Sequence, residues 1–578
     1  MSNLISDLHV HCGLKGYASE GHPDFKEHTI WDYYPAQEKE LKKLNFVLRG
    51  AIKEMAKSSQ ANLDACVESN LLAPFLAIYP VERQMFALEP RKPFKMLFDL
   101  LLSGKQHACL GAAVAGFPIE KVEAILSNVN NGRDEGVNYY NQFRQERDYL
   151  IRQTAARSKK FPEFRFEVAS EYEEFRKSLK DGKTICGLLT VEGAHSFGHY
   201  LHNSTFKKNF DGLQPEERQA LTKSFRQNIT EVKTEDDGRH APFFVTFCHH
   251  FNNLLAGHAR SFSDKSDLLL GLHKPGMRHL FNQEPGLNQG FSSLGKEVLE
   301  LFLDRKTGRR ILIDTKHMSV AARQEFYAVI RKKREEEEDR IPIIHSHAAI
   351  SGWLTLDQAK GKAETKDLDK GHFFSRWQIN LTNEDILEMY DSDGIIGVVL
   401  HEGRMPGEGF CKIAGKLKKK IKRAQLASPR RAHLERELKD MYLKLVWSNI
   451  FHIVKVVKEG RRGANGWKMI ALGSDYDGLV DPFNTFPEVT SFQHLKSDLI
   501  SYLESGKEVF FSENGVARAL PQEEVAKLMF GQTAEEILDG ILFGNTDRFL
   551  SKYFTEAYLG KEAGETDENA GPDIAVAA

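Results

Sequence analysis

The 578-residue chain has six cysteines, Cys12, Cys66, Cys109, Cys186, Cys248 and Cys411, and no two lie close in sequence. So sparse a set argues against a disulfide framework and suits reduced thiols in a cytoplasm. Long apolar runs are also missing. None approaches the roughly 20 residues that cross a bilayer, and the N-terminus shows no charged leader followed by an apolar stretch and a small-residue cleavage site. A cytoplasmic protein with no membrane partner is the expectation. Excess positive charge is absent too, since 79 Lys and Arg meet 81 Asp and Glu for a net charge of −2. That balance argues against a nucleic-acid or membrane-surface protein, because both need a basic excess. No internal repeat is present beyond an alternation of strands and helices.

What is present is a globular composition, 41% hydrophobic and 28% charged, with ample material for a core. The stretch that organises the rest is Asp7-Leu8-His9-Val10-His11, at the end of an apolar run. Side chains two apart on a strand share a face, so His9 and His11 project together from one strand end. Two imidazoles so placed make half of a metal site. In isolation they read more readily as polar residues closing a strand, and what changes that reading lies downstream. Cys12 should point away from their shared face and serve packing.

Along the chain, residues 38–69 carry helical three- and four-residue spacing, and 72–79 form a second buried strand in which Pro74 sits near the start. Residues 81–158 read as an inserted helical segment, open as a lid, the surface of a homodimer or a scaffold. A charged helix at 171–180 precedes a strand at 184–191, which leads straight into Glu192-Gly193. A carboxylate at the end of an apolar strand is costly without a partner. Further strands are predicted at 243–248, ending in His249-His250; at 310–314, before Thr315-Lys316-His317; at 341–344, before His345-Ser346-His347; at 394–400; and at 469–473, before Ser474-Asp475-Tyr476-Asp477-Gly478. Helices are predicted at 293–303, 320–332 and 384–390. Eight short strands alternating with helices describe an α/β fold, a (β/α)8 TIM-like barrel, in which chemistry sits at the carboxyl ends of the strands. The barrel is expected over residues 1–557, with helical insertions at about 81–158 and 402–460 and a disordered tail at 558–578. The basic run at 412–431 reads as a solvated helix face in preference to a nucleic-acid contact.

Together, His9, His11, Glu192, His317 and His347 offer four imidazole donors and one carboxylate able to bridge two ions, a set suited to zinc or a similar divalent metal. Two such ions lower the pKa of a shared water and polarise a carbonyl. Asp475, at the last strand end, is placed to take that water's proton and pass it to a leaving amine.

The segments Thr190-Val191-Glu192-Gly193-Ala194-His195-Ser196, Ile313-Asp314-Thr315-Lys316-His317-Met318-Ser319, Pro342-Ile343-Ile344-His345-Ser346-His347 and Gly473-Ser474-Asp475-Tyr476-Asp477-Gly478 resemble, in order, the strand-end motifs of the membrane (renal-type) dipeptidase family, peptidase family M19 of the amidohydrolase superfamily. The resemblance implies a zinc-dependent dipeptidase with a binuclear site. By motif position, His9 and His11 are similar to the first-strand ligands, Glu192 to the bridge, His317 and His347 to the remaining pair, and Asp475 to the acidic catalytic residue. His249, or His250 beside it, is similar to the substrate-contacting histidine that stabilises the oxyanion.

The sequence departs from that pattern twice. His11 stands where the family has an aspartate, which leaves the site one unit more positive. Ile379 stands where the family places an arginine for the dipeptide carboxylate; Arg376, three residues earlier, either substitutes for it or is a surface residue. The leading expectation is a hydrolase of dipeptides or related small amides using a metal-activated water. The alternatives are a metal-dependent hydrolase of lactones, cyclic amides or N-acyl amino acids, and a non-catalytic barrel used for partner binding.

Overall fold

The computed structural model describes residues 3–45, 49, 58–86, 105–130, 136–262, 281–362, 368–478 and 481–562. Eight parallel strands follow one another around a nearly closed barrel: β1 (Ile5–Val10), β2 (Leu71–Ile78), β3 (Thr184–Glu192), β4 (Phe244–Thr246), β5 (Leu312–Asp314), β6 (Ile344–Ala348), β7 (Ile395–Val398) and β8 (Ile470–Leu472). A short strand, Arg165–Val168, adds to β3 outside this ring. Every residue of β1 and β2 is buried. Two-sided burial is what helices packed around a parallel sheet impose, and it explains why β2 reads as a continuous apolar run instead of an alternating one. Pro74 lacks an N–H to donate, and it faces Asp7 beside a register irregularity in the β1–β2 ladder.

The barrel closes through the segment after β8. Asp475 N–H donates to His9 O at 2.9 Å and His11 N–H to Tyr476 O at 2.9 Å. The buried Asp7 carboxylate reinforces the seam, its Oδ1 accepting from Ser474 N at 2.9 Å and His9 N at 3.1 Å. The chain's first and last barrel strands therefore meet at the end that carries the predicted ligands.

The helices predicted at 293–303, 320–332 and 384–390 form as α2 (Ser293–Leu303), α3 (Val320–Glu336) and α4 (Asn383–Asp391). Ser319 caps α3 by accepting from Ala322 N, and Thr382 and Asp385 cap α4 reciprocally. The sixth strand differs from its prediction. It starts at Ile344, not 341, because Pro342 has no donor for the ladder, so His345 and His347 lie inside the strand. The single helix predicted at 38–69 is instead Glu38–Lys43 and, after an Asn62 cap, Leu63–Ser69; residues 46–48 and 50–57 lie outside the described residues. Only residues 558–562 of the predicted tail are among the described residues. Glu556–Leu559 is helical with Leu559 fully buried, and 563–578 lie outside the described residues. None of the cysteines forms a disulfide; Cys12 packs against Cys66, their sulfurs 3.9 Å apart. Among the described residues no helix is long and apolar enough to cross a membrane.

Within the segment 81–158, helices Gln106–Ala115 and Ile119–Asn130 build a small core with Leu14, Tyr79 and Val81, which follow β1 and β2. They therefore pack at the mouth end of the barrel. Helix α1 (Tyr139–Arg152) joins the main core through Phe143 and Leu150. It carries Glu146, 1% exposed, whose Oε2 accepts from Tyr79 N at 3.1 Å. Burial pushes this carboxyl up to about 8 from its ordinary value of 4.5. Across that window the folded chain keeps a proton that the unfolded chain has released, so stability falls as pH rises. Glu146→Gln should abolish this fall, gaining a few kcal/mol over wild type at pH 8 and little near pH 4. Denaturant midpoints of both proteins at the two pH values test it, and parallel pH profiles would refute it.

Candidate metal centre

Each predicted site residue except Arg376 arrives at the carboxyl end of a barrel strand. His9 lies in β1 and His11 just beyond it; Glu192 closes β3; His249 follows β4; His317 follows β5; His347 is in β6; and Asp475 follows β8. Glu192 is their hub. Its Oε1 lies 3.4 Å from His9 Nε2, 3.3 Å from His249 Nε2, 3.6 Å from His317 Nε2 and 3.8 Å from His347 Nε2. Its Oε2 lies 3.2 Å from His11 Nε2. Asp475 stands opposite, Oδ1 at 3.8 Å from His9 Nε2 and 3.7 Å from His11 Nε2, and Oδ2 at 3.8 Å from His347 Nε2. Two atoms bonded to one tetrahedral zinc ion sit roughly 3.4 Å apart, given bonds of about 2.0–2.1 Å. The spacing of this cluster matches ligands around a shared ion.

The donor chemistry fits such an ion as well. His9 Nε2, both nitrogens of His11 and Asp475 Oδ1 are buried without a hydrogen-bond partner, an expensive condition that coordination relieves. Burial holds the His317 and His347 imidazoles well below their ordinary pKa, in the neutral form a metal needs. Burial pushes Glu192 upward, but His249, His9 and His11 outweigh it and keep the carboxylate ionised. Burial and the neighbouring Glu192 push Asp475 up to about 8. The backbone is strained where it aims these groups: His317 and Asp475 adopt φ of 65° and 63°, left-handed values that a non-glycine residue takes at a cost. Gly478 completes the pocket, since a Cβ there would fall 2.1 Å from Asp475 Oδ1 and 3.0 Å from His11.

A second layer orients the first. Ser346 donates to Asp314 Oδ2 at 2.6 Å, and its Oγ lies 2.9 Å from His347 Nδ1 and 3.3 Å from His9 Nδ1. Thr246 donates to the same Asp314 oxygen at 2.6 Å. Glu82, after β2, holds His249 Nδ1 at 2.6 Å and is itself fixed by Phe251 N–H at 3.1 Å and the Tyr79 hydroxyl at 3.3 Å. Partners of this kind fix the tautomer and ring orientation of metal-binding histidines.

The predicted carboxylate-reading Arg376 does not join the cluster. Its guanidinium stacks on Trp353, 3.6 Å from the ring centroid, and its Nη1 lies 3.4 Å from His372 Nε2. Ile379 packs with Trp377 and Ala259. The arginine whose charge acts on Asp475, Lys316 and His250 is Arg404, on the loop after β7; burial pulls its guanidinium down to about 10 even with Asp475 nearby. Lys316, beside His317, is fully buried with no hydrogen-bond partner for its Nζ. Sequence reasoning missed Glu82, Asp314 and Arg404. The signal for Asp314 was available, a carboxylate at the end of a buried strand, the same one that marked Glu192.

No family model matches the chain, and no curated protein matches it. Among solved structures it is similar to the probable dipeptidase PvdM from Pseudomonas aeruginosa, with 15% identity, coverage of 86% of this chain and 89% of that one, and a TM-score of 0.42. It is also similar to a dipeptidase described as a metallo peptidase of family M19, with 11% identity, coverage of 96% and 99%, and a TM-score of 0.43. A metallo peptidase from Rhodobacter sphaeroides, liganded with a phosphinate mimic of the dipeptide L-Ala-D-Ala, matches at 11% identity over 96% and 100%, with a TM-score of 0.41. At these scores the likenesses do not bear on individual residues.

Proposed function

We propose that the protein is a metal-dependent hydrolase of dipeptides or closely related small amides, with zinc as the metal expected from the donor set. The observation that carries this reading is the single buried carboxylate, Glu192, surrounded by five imidazole Nε2 atoms at 3.2 to 3.8 Å. When bound there, divalent ions supply Lewis-acid polarisation of a carbonyl and a more acidic water. His9, His11, Glu192, His317 and His347 are the residues that hold them.

Asp475 is the proton carrier. It faces the cluster from β8 and is placed to accept a proton from the attacking water at a carboxylate oxygen and return it to the departing amine. His249, kept in one orientation by Glu82, turns its Nε2 into the same space, where a substrate oxyanion would meet it. Arg404 is the nearest candidate to pair with a substrate carboxylate, in place of Arg376.

The test is turnover of L,L and L,D dipeptides by zinc-loaded protein, beside the same peptides with amidated carboxyl ends and a chelated control. Free dipeptides should be cleaved, amidated ones at least tenfold more slowly, and chelated protein should be inert. Asp475→Asn should retain metal yet lose about 10²–10⁴ in turnover. If metal-loaded protein cleaves none of the dipeptides, the substrate class is wrong, and lactones and N-acyl amino acids become the panel to try.

A further inference from the structure

The donors around Glu192 fall into two groups. One donor atom each from His9, Glu192, His347 and Asp475 lies within 4.8 Å of all the others, and His249, His250 and His317 form a second group within the same limit. His250 has no part in the ligand set derived above. Its ring nevertheless lies 3.7 Å from that of His249 and 5.0 Å from that of His317, centroid to centroid. Its Nδ1 is buried with no hydrogen-bond partner, and the residue is only 9% exposed. Phe262 covers its other side, 4.6 Å between centroids.

The companions of His250 are already oriented for a ligand's work. Glu82 holds the outer nitrogen of His249, so Nε2 points inward to 3.3 Å from Glu192 Oε1. Ser261 Oγ lies 3.3 Å from His317 Nδ1, and His317 Nε2 then stands 3.6 Å from the same Glu192 oxygen. An imidazole with its outer nitrogen on a carboxylate and its inner nitrogen facing an anionic oxygen is the recurring pattern of metal-ligating histidines. Three imidazoles and one carboxylate oxygen make a complete four-ligand set for zinc or cobalt.

We propose that His249, His250 and His317, sharing Glu192 Oε1, hold one ion of the pair, and that His9, His11 and His347 hold the other with Glu192, leaving Asp475 facing that ion as the proton carrier. This rests on the metal-hydrolase reading and moves His249 from the substrate to the ion. The resemblance to M19 dipeptidases implies a different division, with His317 and His347 as the remaining ligand pair and His249, or His250 as the alternative, on the substrate. The extra imidazole comes from this chain's Cys248-His249-His250-Phe251 segment.

The experiment is metal binding, independent of activity. Chelator-stripped wild type, His250→Phe and Glu82→Gln are titrated with cobalt(II), followed by visible absorption and by elemental analysis after dialysis. Phenylalanine keeps the ring stack and removes the nitrogen. Wild type should retain two ions per chain and His250→Phe one, while Glu82→Gln should hold its second ion about 10- to 100-fold more weakly. If His250→Phe does not fold, as judged by its melting curve, His250→Gln takes its place. Two ions retained by the folded His250 variant, with affinity unchanged, would overturn the division and leave the hydrolase reading standing. No ion on wild type would remove both.

Discussion

Glu192→Gln is expected to leave the folded protein with at most one ion per chain and to cut turnover by about a thousandfold or more. The substitution preserves volume and removes the one negative charge that all five surrounding imidazole nitrogens face. A neutral amide presents one oxygen and one N–H₂ group, and the second is repelled by any cation placed between Glu192 and the histidines on its side. The other carboxylate facing the cluster, Asp475, lies beside His9, His11 and His347 at 3.7 to 3.8 Å, so it does not replace Glu192 on the side of His249 and His317. Elemental analysis of purified variant and wild type, with a melting curve to show that the fold survives, decides the matter. Full metal occupancy in a folded Glu192→Gln protein would mean that the ions, if any, are held elsewhere.

The second large effect concerns stability. Arg323 on α3 and Asp385 on α4 form an ion pair of 2.7 Å whose side chains are 1% and 0% exposed. Both carboxylate oxygens and the guanidinium's outer nitrogens are occupied, leaving only Arg323 Nε without a partner: Arg323 also donates to Gln378 O at 2.6 Å, Tyr327 donates to Asp385 Oδ1 at 2.8 Å, and Thr382 N–H and hydroxyl donate to Oδ2 at 2.7 and 2.8 Å. Asp385→Asn keeps an oxygen for the Thr382 cap but leaves a buried guanidinium without its counter-charge. The expected cost is about 3–5 kcal/mol, because the desolvation of the remaining charge is no longer offset. The pair Arg323→Met with Asp385→Leu should be less destabilising than either single change. Chemical denaturation of metal-free wild type, Asp385→Asn, Arg323→Met, Asp385→Leu and the double variant tests both statements; a loss below about 1 kcal/mol for Asp385→Asn would contradict the first.

The alternation of strands and helices was readable in the sequence because barrel strands buried on both faces leave long apolar runs, and because the periods of helix and strand differ. The clustering of the candidate site residues was readable for a related reason: an imidazole or carboxylate at the end of such a run has no solvent to face and needs a partner. Local rules failed where the answer depended on residues distant in the chain. The pairing of Glu82 with His249 and of Asp314 with Ser346 joins separate strand ends, and no spacing encodes it. Arg376 illustrates the converse. It lies three residues from the expected position, yet the packing of its guanidinium on Trp353 commits it elsewhere, while Arg404, on the next strand's loop, acts on the site. The replacement of the family's aspartate by His11 likewise looked from the sequence like an uncompensated positive unit. In the fold, buried carboxylates stand one layer out, behind His249 and behind His9 and His347.

The seam between β1 and β8 has a consequence for how the protein is made. His9 and Asp475 leave the ribosome separated by most of the chain's synthesis, and until β8 emerges β1 lacks the neighbour that supplies the Tyr476 carbonyl and the Asp475 N–H. A nascent chain therefore displays histidines and Glu192 as separate, weak, solvent-facing donors for most of translation. Closing so long a loop is entropically slow, so on the proposed metal-hydrolase reading an ion would load after release, into a finished barrel.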